Sequence, residues 1–379
     1  MRLALVHLGR RGSGGPISLS LAAQLSRHVE LLAVLSSQAD VLPAWRETDI
    51  ELAVVETYAS LPRALWGWLD RSRVQQIAAV IRAWKPDALL FPMFYTWNPL
   101  VQHDLPGIPS VIFVHDPVAH PGLRGVLYRL IEDWSIRQAS RCVLLSSAFI
   151  PSLARRGATQ EQVDVIPHGD FSFYVSSVLS QPTPSAANDS EPVILFFGRI
   201  EPYKGLEVLL QAYQKLCALP GLKVKPRLRI VGEGSLRPYG DLLSRLPRLE
   251  ITNRYVGHQE IPEIFQTASI VVLPYLNATQ SGLIPLAAAF KKAVVATRTG
   301  GLPEQIADQR TGLLVAPGSV DELAEALLRL VSNPEMASRL GDSLGQHYQA
   351  GHGWEKISVE VLESCRKAAL RQAAGPQGG

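Results

Sequence analysis

Ala278-Thr-Gln-Ser-Gly-Leu-Ile-Pro-Leu-Ala-Ala-Ala-Phe-Lys-Lys-Ala-Val-Val-Ala-Thr-Arg-Thr-Gly-Gly-Leu-Pro-Glu304 reads as loop, helix, strand and loop. Gln280, Ser281 and Gly282 stand before an apolar, alanine-rich run ending near Phe290. Their backbone N–H groups are therefore expected to point out of a helix N-terminus, where anions bind favourably. Ala293-Val-Val-Ala296 then reads as a short buried strand, and Gly300-Gly301 as a second turn at its carboxyl end. Ligands of open α/β sheets sit at that edge. Ser-Gly alone is an ordinary helix cap and Gly-Gly alone an ordinary loop; it is their combination in one unit that marks a ligand site.

The chain of 379 residues exceeds one ordinary core and fits two domains. With 47% hydrophobic and 19% charged residues it has the composition of a globular protein rich in buried sheet. Three cysteines, Cys142, Cys217 and Cys365, stand without C-x-x-C spacing, which argues against a disulfide framework and against a metal site and fits a reducing, cytoplasmic setting. The run Met1-Arg-Leu-Ala-Leu-Val-His7 is too short for a signal peptide, and no stretch is long and apolar enough to suggest a membrane span. A net charge of +3 is too small to imply a nucleic-acid partner.

Work outward to the amino-terminal half and the same unit recurs. Leu3 to His7 is a strand, Gly9-Arg-Arg-Gly-Ser-Gly-Gly15 a glycine loop, and Ile17 to Leu25 a helix. Gly14 and Gly15 close a loop whose backbone can approach a phosphate or a sugar, although a simple tight turn is an equal reading, since the loop is not G-x-G-x-x-G. Further strands are expected at Glu30 to Leu35, Ile50 to Glu56, Asp87 to Phe91, Pro109 to Val114, Cys142 to Ser146 and Val163 to Pro167. Alternation of such strands with helices specifies a doubly wound parallel sheet. In Val114-His-Asp-Pro-Val-Ala-His-Pro-Gly122, His115 stands at a strand's carboxyl end. It can bond a sugar hydroxyl or share a proton near neutrality; the bland reading is a histidine holding the turn through a carbonyl, and His120 is a weaker candidate. Trp66, Trp68, Arg71 and Arg73, with the helix Leu123 to Arg141, suggest either peripheral contact with an anionic membrane or aromatics packed inward with solvated arginines.

Phe173 to Pro192 loses apolar periodicity and gains Pro, Ser and Asn, as a linker does. Val193 to Phe197 opens a second domain and leads into Gly198-Arg-Ile-Glu-Pro-Tyr-Lys-Gly205, in which Arg199 and Lys204 flank a strand-to-helix turn and can clamp a diphosphate. Strands at Leu228 to Val231, Ile251 to Gly257 and Ile270 to Pro274 follow, the last delivering the opening stretch.

F-F-G-R-I-E-P-Y-K-G, I-V-G-E-G, Y-V-G-H-Q-E-I-P-E-I-F and the Ser281-Gly to Gly-Gly-Leu-Pro-Glu304 region, in that order, resemble the group 1 (family 4) retaining glycosyltransferases. The resemblance is strong over Pro192 to Leu330 and weaker over the first half. It implies the GT-B fold, two Rossmann-like doubly wound α/β domains facing across a cleft, with the acceptor held by residues 1–173 and a nucleotide-diphosphate sugar by 193–350. Residues 174–192 would be the linker, 351–372 a helix crossing back to the first domain, and 373–379 a disordered tail. The resemblance further implies that Arg199 and Lys204 hold the diphosphate with the amides of Ser281 and Gly282. Gly232, Gly234, Tyr255 and Val256 would line the nucleoside, and His115 would contact the transferred sugar. No cofactor beyond the donor is implied, and the acceptor would be a glycan, a lipid or a small molecule.

One departure stands out. The family's Glu-(x)7-Glu pair falls on Ala278 and Leu286, or one residue on at Thr279 and Ala287. Gln280 is the candidate to replace the first glutamate. Two functions remain open at this point: a transferase, and a pseudo-glycosyltransferase that binds nucleotide or sugar without turnover. An NAD-dependent oxidoreductase is disfavoured because neither glycine loop fits the dinucleotide fingerprint.

Overall fold

The apolar runs become the strands of two separate parallel sheets. A computed structural model describes residues 1–58, 68, 69, 71–118, 123–179, 191–220, 222 and 224–373. The first sheet comprises β1 (Arg2–His7), β2 (Glu30–Ser36), β3 (Glu51–Val55), β4 (Ala88–Phe91), β5 (Ser110–Val114), β6 (Arg141–Leu144) and β7 (Val163–Val165), in the order β3-β2-β1-β4-β5-β6-β7. Leu3, Ala4, Leu5 and Val6 are wholly buried, because helices cover both faces of a parallel sheet and leave no solvent side to be polar. The second sheet comprises β8 (Val193–Phe197), β9 (Arg227–Val231), β10 (Leu249–Thr252), β11 (Ile270–Leu273), β12 (Ala293–Thr297) and β13 (Leu313–Val315), in the order β10-β9-β8-β11-β12-β13.

Both sheets start in the middle. In the second, β8 pairs with β9 on one side and with β11 on the other, the latter with Ile194 opposite Ile270. The strand order reverses across that pair, which makes it a switch point, and ligands of open α/β sheets bind beyond the carboxyl ends of the strands at such a point. In the first sheet β1 plays the same part between β2 and β4.

The chain divides into two units, residues 1–167 with the C-terminal helix, and residues 168–353. The boundary is thus six residues earlier than the expected 173. The helix Ser172–Leu179 causes this shift, because it packs on the helices Ile261–Thr267 and Leu283–Ala289 of the second unit. Asp170 Oδ1 accepts from the Ser172 amide at 3.1 Å and hydroxyl at 2.7 Å, which starts that helix. Tyr174 Oη then lies 2.6 Å from His258 Nδ1. Of the expected linker, residues 180–190 lie outside the described residues, as does the end of the tail from 374. The last helix, Trp354–Ala373, belongs to the first unit and packs on the helix Gly14–Leu25 and on β4, β5 and β6. There Ser364 donates to Asp164 Oδ2 at 2.6 Å, beside the two-pronged Arg141 contact to the same carboxylate.

The membrane reading of the Trp–Arg cluster meets a competing use of its residues. Trp66 lies outside the described residues. Trp68 packs against Trp134 with ring centroids 5.7 Å apart, Arg71 pairs with Asp104, and Arg73 donates to the Thr57 carbonyl at 2.7 Å. These side chains serve the fold of the first unit. Among the described residues no helix is long and apolar enough to cross a membrane.

Candidate functional site

At the second unit's switch point, the loops after β8 and β11 are drawn together. Gly205, at φ +69°, has no room for a side chain, since a Cβ would collide with the Pro274 carbonyl oxygen. The Leu276 amide donates to the Tyr203 carbonyl at 2.8 Å, joining the same two loops. Lys204 is delivered by this approach onto the face of Tyr275, its Nζ 3.9 Å from the ring centroid. Tyr275 is 1% exposed and its carbonyl accepts from Thr297 Oγ1 at 2.6 Å, so the platform under the lysine is rigid. Arg199 is exposed and follows Gly198 in the same loop. Among the described residues no carboxylate pairs with either cation.

The turn after β11 carries the rest. Thr279 accepts at its carbonyl from the Gly301 amide at 3.1 Å, so the two glycine-bearing turns of the opening stretch do meet. Ser281 is buried and its hydroxyl lies 3.4 Å from Tyr275 Oη. Gln280 Oε1 is buried and has no hydrogen-bond partner among the described residues. Gly282 faces His168 and Phe171, whose rings stack at 5.2 Å.

One expectation needs correction. The Ser281 amide does not point to a ligand: it donates to Gln305 Oε1 at 2.9 Å. The helix after it, Leu283–Ala289, has only seven residues, too short for much of a dipole. Gly232 and Gly234, expected to line a nucleoside, have a backbone reason to be glycine. Their φ angles are +147° and +156°, and side chains there would collide with the carbonyls of Gly198 and Ile200. The bridge between Ile200 and Gly234 seats the β9 turn against the Arg199 loop. Val256 is buried, whereas the Tyr255 side chain is 42% exposed beside a turn fixed by the Arg254–Glu260 pair.

The remaining candidates lie in the first unit. His115, after β5, holds Nε2 2.9 Å from the Pro92 carbonyl oxygen. A carbonyl only accepts, so Nε2 carries the proton and Nδ1 presents a lone pair. Burial lowers the ring's pKa below its ordinary value, which keeps it neutral. Gly14 and Gly15 are not in a loop: they form the first turn of a buried helix, where Cβ atoms would press on Met93 and on Val41. His120 lies outside the described residues.

Tyr275, Gln305, Tyr348 and His168 were not found by sequence reasoning. His7 was likewise passed over: it is buried at the end of β1, 3.1 Å from Ser18 Oγ, and desolvation pushes it down to about 4. Only Gln305 left a signal, as an amide next to Glu304 in an otherwise apolar stretch.

Comparison with known proteins agrees with this geometry. Residues 191–333 match the family described as "Glycosyl transferases group 1", and residues 14–169 the "Glycosyl transferase 4-like domain". A D-inositol 3-phosphate glycosyltransferase of Segniliparus rotundus is 29% identical over 307 residues, which are 76% of this chain and 63% of that protein, so the match spans less than two thirds of the relative. A 2-deoxystreptamine glucosyltransferase of Streptomyces kanamyceticus is 26% identical over 87% of this chain and 96% of its own. Among solved structures, Anabaena HepE in complex with UDP and glucose superposes with a TM-score of 0.75 at 17% identity, covering 97% of this chain and 99% of that one. Sucrose-phosphate synthase from Thermosynechococcus elongatus does so at 0.74 and 18%, covering 98% and 99%. At such identities the structures speak for the fold, and the sequence matches, which together span most of the chain, speak for the family. On both counts the chain belongs to the group 1 (family 4) glycosyltransferases, with the two parallel-sheet Rossmann-like domains of the GT-B fold.

Proposed function

We propose that the chain transfers a sugar from a uridine diphosphate sugar to a hydroxylated acceptor, with retention at the anomeric carbon and with protein cations, in place of a metal ion, on the departing diphosphate. The observation that carries this reading is the occurrence, at the switch point of the second sheet, of two cations without a carboxylate partner and a buried glutamine oxygen without a donor among the described residues. When the bond from the anomeric carbon to the diphosphate breaks, charge builds on the phosphate oxygens, and Lys204 and Arg199 would meet it. Tyr275 holds Lys204 in position before the substrate arrives, so little is lost in ordering it. Gln280 Oε1 would accept from a sugar hydroxyl and Tyr255 would stack on the base. His115, in the first unit, offers Nδ1 to a hydroxyl.

Titration with UDP and UDP-glucose, followed by NMR of the product anomer with and without EDTA, tests the reading. An acceptor panel should include D-inositol 3-phosphate, named for one relative, beside glycan and lipid acceptors. Retained configuration and indifference to EDTA are expected; inversion or loss of activity in EDTA overturns the corresponding part. Arg199→Ala and Lys204→Ala should each weaken UDP binding by about 1.5 kcal/mol, roughly tenfold in Kd. Unchanged affinity in both removes the diphosphate assignment.

A second reading, a binding protein without turnover, is favoured by one observation: Leu286 and Ala287, the two positions on which the family's second glutamate falls in one register or the other, are both buried and apolar, with no polar side-chain atom to offer. UDP-glucose bound by the wild type, with neither hydrolysis nor transfer across the panel, would establish it.

A further inference from the structure

We propose that Gln305 is a positioning residue for the transfer, its side-chain amide clasping both polar groups of the Ser281 backbone so that the turn after β11 presents Gln280 and Gly282 to the donor. The proposal rests on the reading of this switch point as a nucleotide-sugar site.

Gln305 is 8% exposed and ends the short helix Leu302–Gln305 that follows β12. Its Oε1 accepts from the Ser281 N–H at 2.9 Å, and its Nε2 donates to the Ser281 carbonyl at 3.1 Å. One side chain thus does for Ser281 what a neighbouring strand does for a residue in a sheet, bonding N–H and C=O together. The second Nε2 proton is directed at Tyr348 Oη, 3.3 Å away. Tyr348 is 2% exposed in the helix Pro334–Gly351, and its ring stacks on His352 with centroids 4.3 Å apart. Every hydrogen-bonding group of the glutamine amide except one lone pair of Oε1 is used, and the amide is anchored from behind by a buried tyrosine.

This arrangement decides what the turn can offer. A Ser281 amide held by Gln305 is not a phosphate donor, so the backbone on either side of Ser281 is fixed and with it the places of Gln280 and Gly282. Gln280 Oε1, without a partner, is the neighbour on one side. Gly282, where even an added Cβ would meet only ordinary contacts with Phe171 and His168, is the neighbour on the other. If the clasp is removed, the buried Ser281 N–H loses its acceptor, and the turn must reorganise to recover one. Gln280 would then move with it.

The test uses the full chain with UDP, UDP-glucose and backbone amide exchange across residues 279–284. Gln305→Leu keeps the volume and removes both bonds to Ser281. Turnover of UDP-glucose should fall about 30-fold while UDP affinity changes by less than about threefold, since positioning is felt chiefly in the transition state. Exchange at 279–284 should quicken while the strands of the second sheet stay protected. Gln305→Glu keeps an acceptor for the Ser281 N–H and should lose less. Tyr348→Phe, which removes only the rear anchor, should lose least, about threefold. Unchanged exchange at 279–284 in Gln305→Leu overturns the proposal, and so does quickened exchange with wild-type turnover. Equal losses in affinity and turnover also overturn it, because they mark a general structural role. Should the wild type neither bind UDP nor consume UDP-glucose, the reading of the site fails, and the exchange measurement alone decides whether the clasp exists.

Discussion

Arg156→Ala is expected to destabilise the first unit by about 3–5 kcal/mol, the range for removing one partner from a buried charged network. The Arg156 side chain is 1% exposed, with Nη2 2.6 Å from Glu132 and Nε 2.5 Å from Asp133. These two carboxylates lie on the helix Leu123–Gln138, which covers the face behind β5. Alanine leaves a 6%-exposed Glu132 without a cation. Burial already pushes the Glu132 carboxyl up, and the guanidinium is the largest influence opposing that shift. In the variant the native state therefore holds a proton that the unfolded chain releases above the ordinary carboxylate value. Stability then falls as pH rises from that value through the raised one, and the loss relative to wild type is smaller in acid. Urea unfolding at two pH values, one near 5 and one near 8, checks both parts. A midpoint unchanged at either pH would show that the triad adds nothing, and a loss independent of pH would put the cost in packing.

How much of this was legible beforehand can be traced residue by residue. Parallel sheets bury both faces of their strands, so Leu3 to Val6, Ile194 to Phe196 and Val294 to Ala296 read as apolar runs and were placed correctly. The turns that carry Arg199, Lys204 and Gln280 were legible because strand-to-turn junctions are local in sequence. The Ser172–Leu179 helix was not. Its sequence, Ser-Phe-Tyr-Val-Ser-Ser-Val-Leu, is short and serine-rich, and its partners lie about 80 to 110 residues further along the chain. The opening stretch was half right for a similar reason. A helix N-terminus was foreseen at Ser281, but the amide that occupies it comes from Gln305, and no spacing rule announces that a glutamine will fold back onto a serine peptide. Glycines were ambiguous in another way. Gly14, Gly232 and Gly234 suggested a ligand approaching the backbone, and other parts of the chain approach it as well. A glycine in a sequence announces close contact without saying with what.

Gln280→Ala should lower turnover of UDP-glucose about 100-fold with UDP affinity held within about threefold, because misplacing the reacting sugar is felt in the transition state. A buried carbonyl oxygen that accepts no hydrogen bond is a standing cost to the fold, of the order of 1 kcal/mol or more. Its retention without a partner among the described residues, next to Ser281, whose backbone N–H and C=O are both held by Gln305 and whose hydroxyl lies 3.4 Å from the tyrosine under Lys204, is what assigns it to a hydroxyl of the incoming sugar. It follows that Gln280→Ala should leave stability unchanged or slightly raised in the absence of ligand, while a purely structural glutamine would lose stability on truncation. Thermal unfolding without ligand, beside turnover and UDP titration, separates the two. Gln280→Glu sharpens the comparison. When ionised, a glutamate only accepts, as the orphan oxygen would, but it brings a charge towards the diphosphate that Arg199 and Lys204 are there to bind. Its UDP affinity should fall below that of Gln280→Ala, and its turnover should stay below that of the wild type. A glutamate variant with wild-type affinity and higher turnover would instead show that the family's acidic residue is functionally restored at this position, and the glutamine would then be a substitution that slowed the enzyme.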